Sequence, residues 1–236
     1  VVETFGLISF ATAFIIFFNS LIDYGFNLSA TREVSIHRED KEKITQIYSS
    51  VLTIKFILTI LSFIILSFIV FIFDKFNSHI ELYLITFLSV VGQAFFPIWY
   101  FQGMEKMRYI TIINISSKVI FTIAIFIFVH KESDYLLVPL FNGLGVLFGS
   151  LYAIYIIKKD FKQDFILQGL VNIRKYFVDS TIYFLSSFSA MTYTSFNVVI
   201  LGFFTNNTMV GYFSIAEKLY MALKSLYLPI IQVLYP

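Results

Sequence analysis

The sequence predicts an all-α fold, a polytopic bundle of membrane-spanning helices, and three observations carry that prediction. Apolar residues make up 58% of the 236 and charged residues only 14%, more apolar surface than one soluble core can hide. Windows of about 20 residues with few charges recur from end to end, the length a helix needs to cross about 30 Å of hydrocarbon. Within those windows apolar residues stand nearly all round instead of alternating in and out, which excludes the strands of a transmembrane barrel.

Seven spans follow from those windows: 5-28, 47-73, 80-101, 109-129, 135-157, 180-204 and 210-234. The first is apolar apart from a stripe of Thr12, Asn19, Asp23 and Asn27, and the second apart from Lys55, Thr59 and Ser62 at helical spacing. The third ends in "WYFQGMEKMRY", which predicts a tight hairpin into the fourth with Gly103 as the residue freest to take positive φ. The fourth holds Thr111, Asn114, Lys118 and Thr122 on one face, so that a lysine stands in the middle of "NISSKVIFTIAIF". No polar stripe is read on the fifth. The sixth carries Ser186, Ser189, Tyr193 and Asn197, and the seventh Ser214, Glu217 and Lys224.

Lysine and arginine alternate between the connections. They crowd into 29-46, 102-108 and 158-179, are single at Lys75 and Lys131, and are absent from "TNNT". The positive-inside rule places the three basic connections in the cytoplasm and starts Val1 outside. The chain opens on Val1 and stops at Pro236 as a helix nears its far side, features expected of a fragment. Residues 5–11, "FGLISFA", also match residues 210–216, "VGYFSIA", with Gly6 over Gly211, Ser9 over Ser214 and Ala11 over Ala216. Parallel repeats of a multi-helix half are a transporter architecture, so two equivalent lobes are expected, the second cut off after its second helix. The expected division is a first lobe over 1-158, a cytoplasmic linker over 159-179 and the start of a second lobe over 180-236.

An intramembrane charge costs about 2.5–3.5 kcal/mol at a helix centre, so each invites a functional reading. Lys55, Lys118 and Lys224 lie at similar expected depths, ~13 Å from the cytoplasmic ends of their helices. A lysine side chain does not reach far enough to clear that depth by snorkelling, which favours a polar cavity with the lysines as its positive belt. Asp23, Thr59, Asn114, Thr122, Ser189 and Asn197 are its expected polar lining, and Glu217 is a candidate for ion coupling or for pairing with a lysine. The alternative for each hydroxyl and amide is packing between helices.

Other classes lack their equipment. Cysteine is absent, which removes thiol nucleophiles and thiolate metal sites. His37, His79 and His130 are scattered through loops without ligand spacing, no glycine-rich phosphate loop is present, and no sizeable external segment offers catalytic acids. A net charge of +2 and the lack of an interleaved basic tract argue against nucleic acid. No cofactor is expected.

The segments "ETFGLISFA", "DYGFNLSATREVSI", "PIWYFQGMEKMRYITIINI" and "LGFFTNNTMVGYFSIAEKL", taken in order, closely resemble polysaccharide flippases of the Wzx (O-antigen translocase) type. That family lies in the superfamily of the MATE exporters and the peptidoglycan-precursor flippases. The resemblance implies a MATE-like two-lobe transporter of twelve helices, about seven of them here, working by alternating access in the bacterial inner membrane. The single missing first helix would account for the outside start. The implied cargo is an undecaprenyl-pyrophosphate-linked oligosaccharide moved from the cytoplasmic to the periplasmic face, with a polysaccharide polymerase and chain-length proteins as further partners. Cationic groups at mid-cavity would compensate its diphosphate when it leaves water. A MATE-like exporter of organic cations is the alternative, and its cavity should carry unpaired acids where this chain offers three lysines. A non-transporting membrane scaffold is a second alternative, which leaves the polar stripes unexplained.

Overall fold

A computed structural model describes the backbone of residues 1–234 and their side chains except those of 194, 195 and 226–234. The described residues form helices and turns without a strand. The order is α1 (Val2–Asp23), α2 (Phe26–Ile36), α3 (Lys41–Ile72), α4 (Asp74–Asn77), α5 (Ile80–Phe95), α6 (Ile98–Gly103), α7 (Met107–Phe128), α8 (Leu137–Asp160), α9 (Leu170–Phe204) and α10 (Asn207–Leu234), with a 3-10 turn over Glu132–Leu136 before α8.

Two of the expected spans are broken helices. The first divides where Tyr24 and Gly25 both take left-handed backbone, φ 46 and 75, which ends α1 and lets α2 start afresh at Phe26. Gly25 suits that place twice over: positive φ strains any other residue except Asn or Asp, and a Cβ there would meet the Phe184 backbone nitrogen at 2.6 Å. The third span breaks at Phe96 and Pro97, since proline has no N–H to continue the helix and forces the residue before it into extended backbone. In contrast α3 runs unbroken for 32 residues from an N-cap, with the Asp40 carboxylate accepting from the Lys43 backbone N–H at 3.0 Å.

Five stretches are long and apolar enough to cross a membrane: Val2–Ile36, Lys41–Ile72, Ile80–Gly103, Met107–Phe128 and Glu132–Asp160. A sixth, α9, qualifies as a span bent by 51°. Every 18-residue window of α10 contains Glu217, Lys218 and Lys224, and α10 falls outside that group. The chain is a multi-pass membrane protein. Helix and apolar window differ at their edges, because a hydrogen-bonded helix runs on past the hydrocarbon: α9 begins at Leu170, ten residues before the expected 180, and carries Asn172, Arg174, Lys175 and Asp179 in its first turns.

The packed centre lies among α1, α2, α3, α5 and α6. Trp99, Tyr83, Tyr100, Phe10 and Phe26 are fully buried there, and Phe10, Phe14, Phe76 and Tyr83 form a cluster of tilted and edge-on rings. α8 packs on α5, α9 and α10 pack on α1, and α7 packs on α8 and α6. Of the residues of α7 only Ile113 is buried.

The expected role of Gly103 is corrected. It closes α6 in ordinary helical backbone, and the left-handed residue of the hairpin is Glu105 at φ 56. Gly103 is instead a contact point between helices: a Cβ there would lie 2.6 Å from Val34 of α2.

Candidate functional site

The predicted site residues fall into three settings, each built by different helices. The first is a seam between α1 and α3. The Lys55 ammonium lies 3.4 Å from Asp23 Oδ1, and the Lys55 side chain is only 2% exposed. Thr59, one turn on, donates its hydroxyl to the Lys55 carbonyl at 2.7 Å. Asn19 Oδ1 and Ser62 Oγ are also buried, without hydrogen-bond partners. Thr59 follows Lys55 on its own helix, Asp23 reaches it from α1, and the charge is turned to a carboxylate within the protein.

The second setting is a cleft of about 160 Å³ where α7 meets α5 and α8. Lys118, Asn114 and Thr122 line it together, one face of α7 at helical spacing. Lys118 is exposed, and among the described residues its ammonium has neither a hydrogen bond nor an ion pair. Ser117 of the same helix, Ser89 of α5 and Asn142 of α8 complete the polar lining. Small-molecule sites occupy about 300–1,000 Å³, so this cleft holds one charged or polar group and not a whole oligosaccharide. What it can do chemically is hold an anionic group, a cation and two amides facing it in a low-dielectric setting.

Asn142 escaped sequence reasoning. Its signal is nonetheless present: it is the one amide in an apolar helix, and it shares a helix face with Gly145 and Gly149, which line the same cleft.

The third setting is a groove of about 760 Å³ between α9 and α10. Asn197 and Glu217 line it with Thr192, Tyr193, Tyr220 and Met221. Lys224 is exposed beyond the groove, its ammonium 5.8 Å from the centre of the Tyr220 ring. Ser189 donates to the Leu185 carbonyl of its own helix at 2.8 Å. Lys55, Lys118 and Lys224 thus stand in three separate settings: the α1–α3 seam, the α7 cleft and the Tyr220 ring of α10. The described residues also contain no cluster of His, Asp and Glu suited to a metal ion.

A bundle of apolar helices with a polar cleft where α7 meets α5 and α8, and a wide groove between α9 and α10, defines a polytopic helical membrane protein. The chain belongs to the family described as "Polysaccharide biosynthesis protein", whose profile matches residues 2–236. It is 30% identical over 234 residues to a "Putative O-antigen transporter" of Escherichia coli (strain K12), covering 99% of this chain and 56% of the relative. It is likewise 30% identical over 235 residues to a protein of the same description from Shigella dysenteriae, covering 100% of this chain and 59% of the relative. The chain thus spans a little over half the length of the curated relatives it matches. No solved structure matches it significantly.

Proposed function

We propose that the protein carrying this chain is a flippase that moves an undecaprenyl-pyrophosphate-linked oligosaccharide across the bacterial inner membrane by alternating access. In this reading it does no covalent chemistry, and polysaccharide polymerase and chain-length proteins act after it. Family membership and the description of its relatives as O-antigen transporters support an exporter of surface-polysaccharide units. The two lobes, over 1-158 and 180-236, are joined by the linker 159-179.

The observation that carries the proposal is the unpartnered Lys118 ammonium in its cleft with Asn114 and Asn142. A diphosphate is the one strong charge on such a cargo, and a cation prepared for it in an apolar helix offsets part of the desolvation that crossing demands. The cleft's small volume fits a headgroup contact, while sugars need the larger α9–α10 groove with Asn197 and Tyr193. Lys224 lies near that groove and extends the cationic lining to the second lobe. Lys55 contributes to the field of the first lobe from within its pair with Asp23. Glu217, the acid in the groove, is the candidate coupling group.

The test is complementation of a strain that lacks its own O-unit flippase. Polymerised surface polysaccharide restored by the gene supports the reading. Accumulation of lipid-linked units on the cytoplasmic face, with the protein present in the membrane, overturns it.

A further inference from the structure

The repeat seen in the sequence returns as a contact. Gly211 stands 205 residues after Gly6, and Asn207 stands the same 205 after Val2. A Cβ built on Gly6 would run into the Asn207 carbonyl oxygen and come within 2.7 Å of the Gly211 backbone nitrogen. A Cβ built on Gly211 would run into the Val2 carbonyl oxygen. Each glycine therefore meets the residue four places before its counterpart, the reciprocal pattern of a two-fold contact, here between two segments of one chain. The next equivalent pair continues it: the hydroxyls of Ser9 and Ser214 are both buried and both without a partner.

Three features make this crossing separable. It is built from backbone approaching backbone, and among the described residues no hydrogen bond or ion pair joins α1 to α10; the nearest polar contact is Lys218 over the Phe5 ring at 4.3 Å. Two unsatisfied buried hydroxyls, Ser9 and Ser214, weaken the closed arrangement. Past the crossing Leu219, Tyr220, Met221 and Leu223 of α10 are all exposed. A second clamp closes the same end: Lys75 of α4 donates to the Gly202 carbonyl of α9 and sits 5.2 and 5.3 Å from the centres of the Phe10 and Phe203 rings.

We propose that the Gly6–Gly211 crossing, backed by the Lys75 clamp, is the outer gate of the transporter, shut here about a pseudo-two-fold axis and parted when the path opens to the outside. The proposal rests on the transporter reading, yet its test does not use transport. These 236 residues hold no cysteine, so with any cysteine elsewhere in the protein replaced by serine, a single Ser9→Cys reports on the crossing. In intact cells a membrane-impermeant maleimide applied outside should label it slowly. Adding Gly211→Ala overpacks the crossing and should raise the labelling rate about tenfold. The mirrored pair, Ser214→Cys with Gly6→Ala, should respond alike because the positions are equivalent. Equal rates in all backgrounds, or rapid labelling from the start, overturn the gate.

Where an alanine variant fails to reach the membrane, a short bifunctional thiol reagent on Ser9→Cys/Ser214→Cys decides. Cross-linking that stops surface-glycan export, with recovery on reduction, supports the gate. Absence of the cross-link, or export that continues through it, overturns the gate. Failure of the unmodified gene to complement overturns the flippase reading and leaves the labelling result intact.

Discussion

Lys55 and Lys118 interrupt two apolar helices in similar ways, yet their surroundings are opposite. α3 lies against α1, α5 and α9, and Lys55 within it is sealed from solvent and paired with Asp23. α7 rests on α8 and α6 with only Ile113 buried, and Lys118 opens on a cleft without a partner among the described residues. A charge in an apolar run shows that something must compensate it. Whether that compensation is part of the protein or arrives with a cargo is decided by the neighbouring helix, which one helix's sequence does not reveal.

The sharpest way to break the comparison is to remove one member of the internal pair. Lys55→Met strands Asp23 in the α1–α3 seam, and breaking a buried ion pair destabilises by about 3–5 kcal/mol. Thermal unfolding of the purified protein should therefore drop steeply, or the protein should disappear from the membrane. Adding Asp23→Leu should recover most of the loss, since replacing both charges by apolar groups is close to neutral. Equal stability of Lys55→Met and the parent would place Lys55 in the same class as Lys118.

Gly103→Val comes next. It pushes a branched side chain against Val34, and overpacking of this kind costs about 1–3 kcal/mol. The expected result is lower expression and a reduced unfolding temperature, with Gly103→Ala intermediate. A fully stable valine variant would show that α2 and α6 can separate there without penalty.

How much of this was legible beforehand depends on range. Apolar windows locate the spans because hydrocarbon thickness sets their length, and a helix-face pattern is enough to put Asn114, Lys118 and Thr122 in one cleft. The breaks at Tyr24–Gly25 and Phe96–Pro97 were less visible, since hydropathy averages over the residues that cause them. The Lys55–Asp23 pair joins residues 32 apart, and the partner could be chosen only once α1 was laid on α3. Asn142 and Ser89 reach the cleft by the same kind of long-range packing.

A smaller effect is expected at Glu217, which lines the α9–α10 groove. Glu217→Gln should leave stability within about 0.5 kcal/mol, as substitutions away from packed features do. If the carboxylate carries a coupling proton, the variant's transport should lose its pH dependence. Transport that stays normal and equally pH-sensitive would assign Glu217 a structural place in the groove.

The central claim is that Lys118 is a charge held ready for cargo. It is tested most directly by Lys118→Met and Lys118→Arg in complementation, scored as polymerised surface glycan per molecule of protein in the membrane. Methionine is similar in length and neutral, and little packing depends on Lys118, so stability should change by less than about 0.5 kcal/mol. The account predicts that Met loses most of the export while Arg keeps a substantial part. Export by the Met variant at the level of the parent would contradict it.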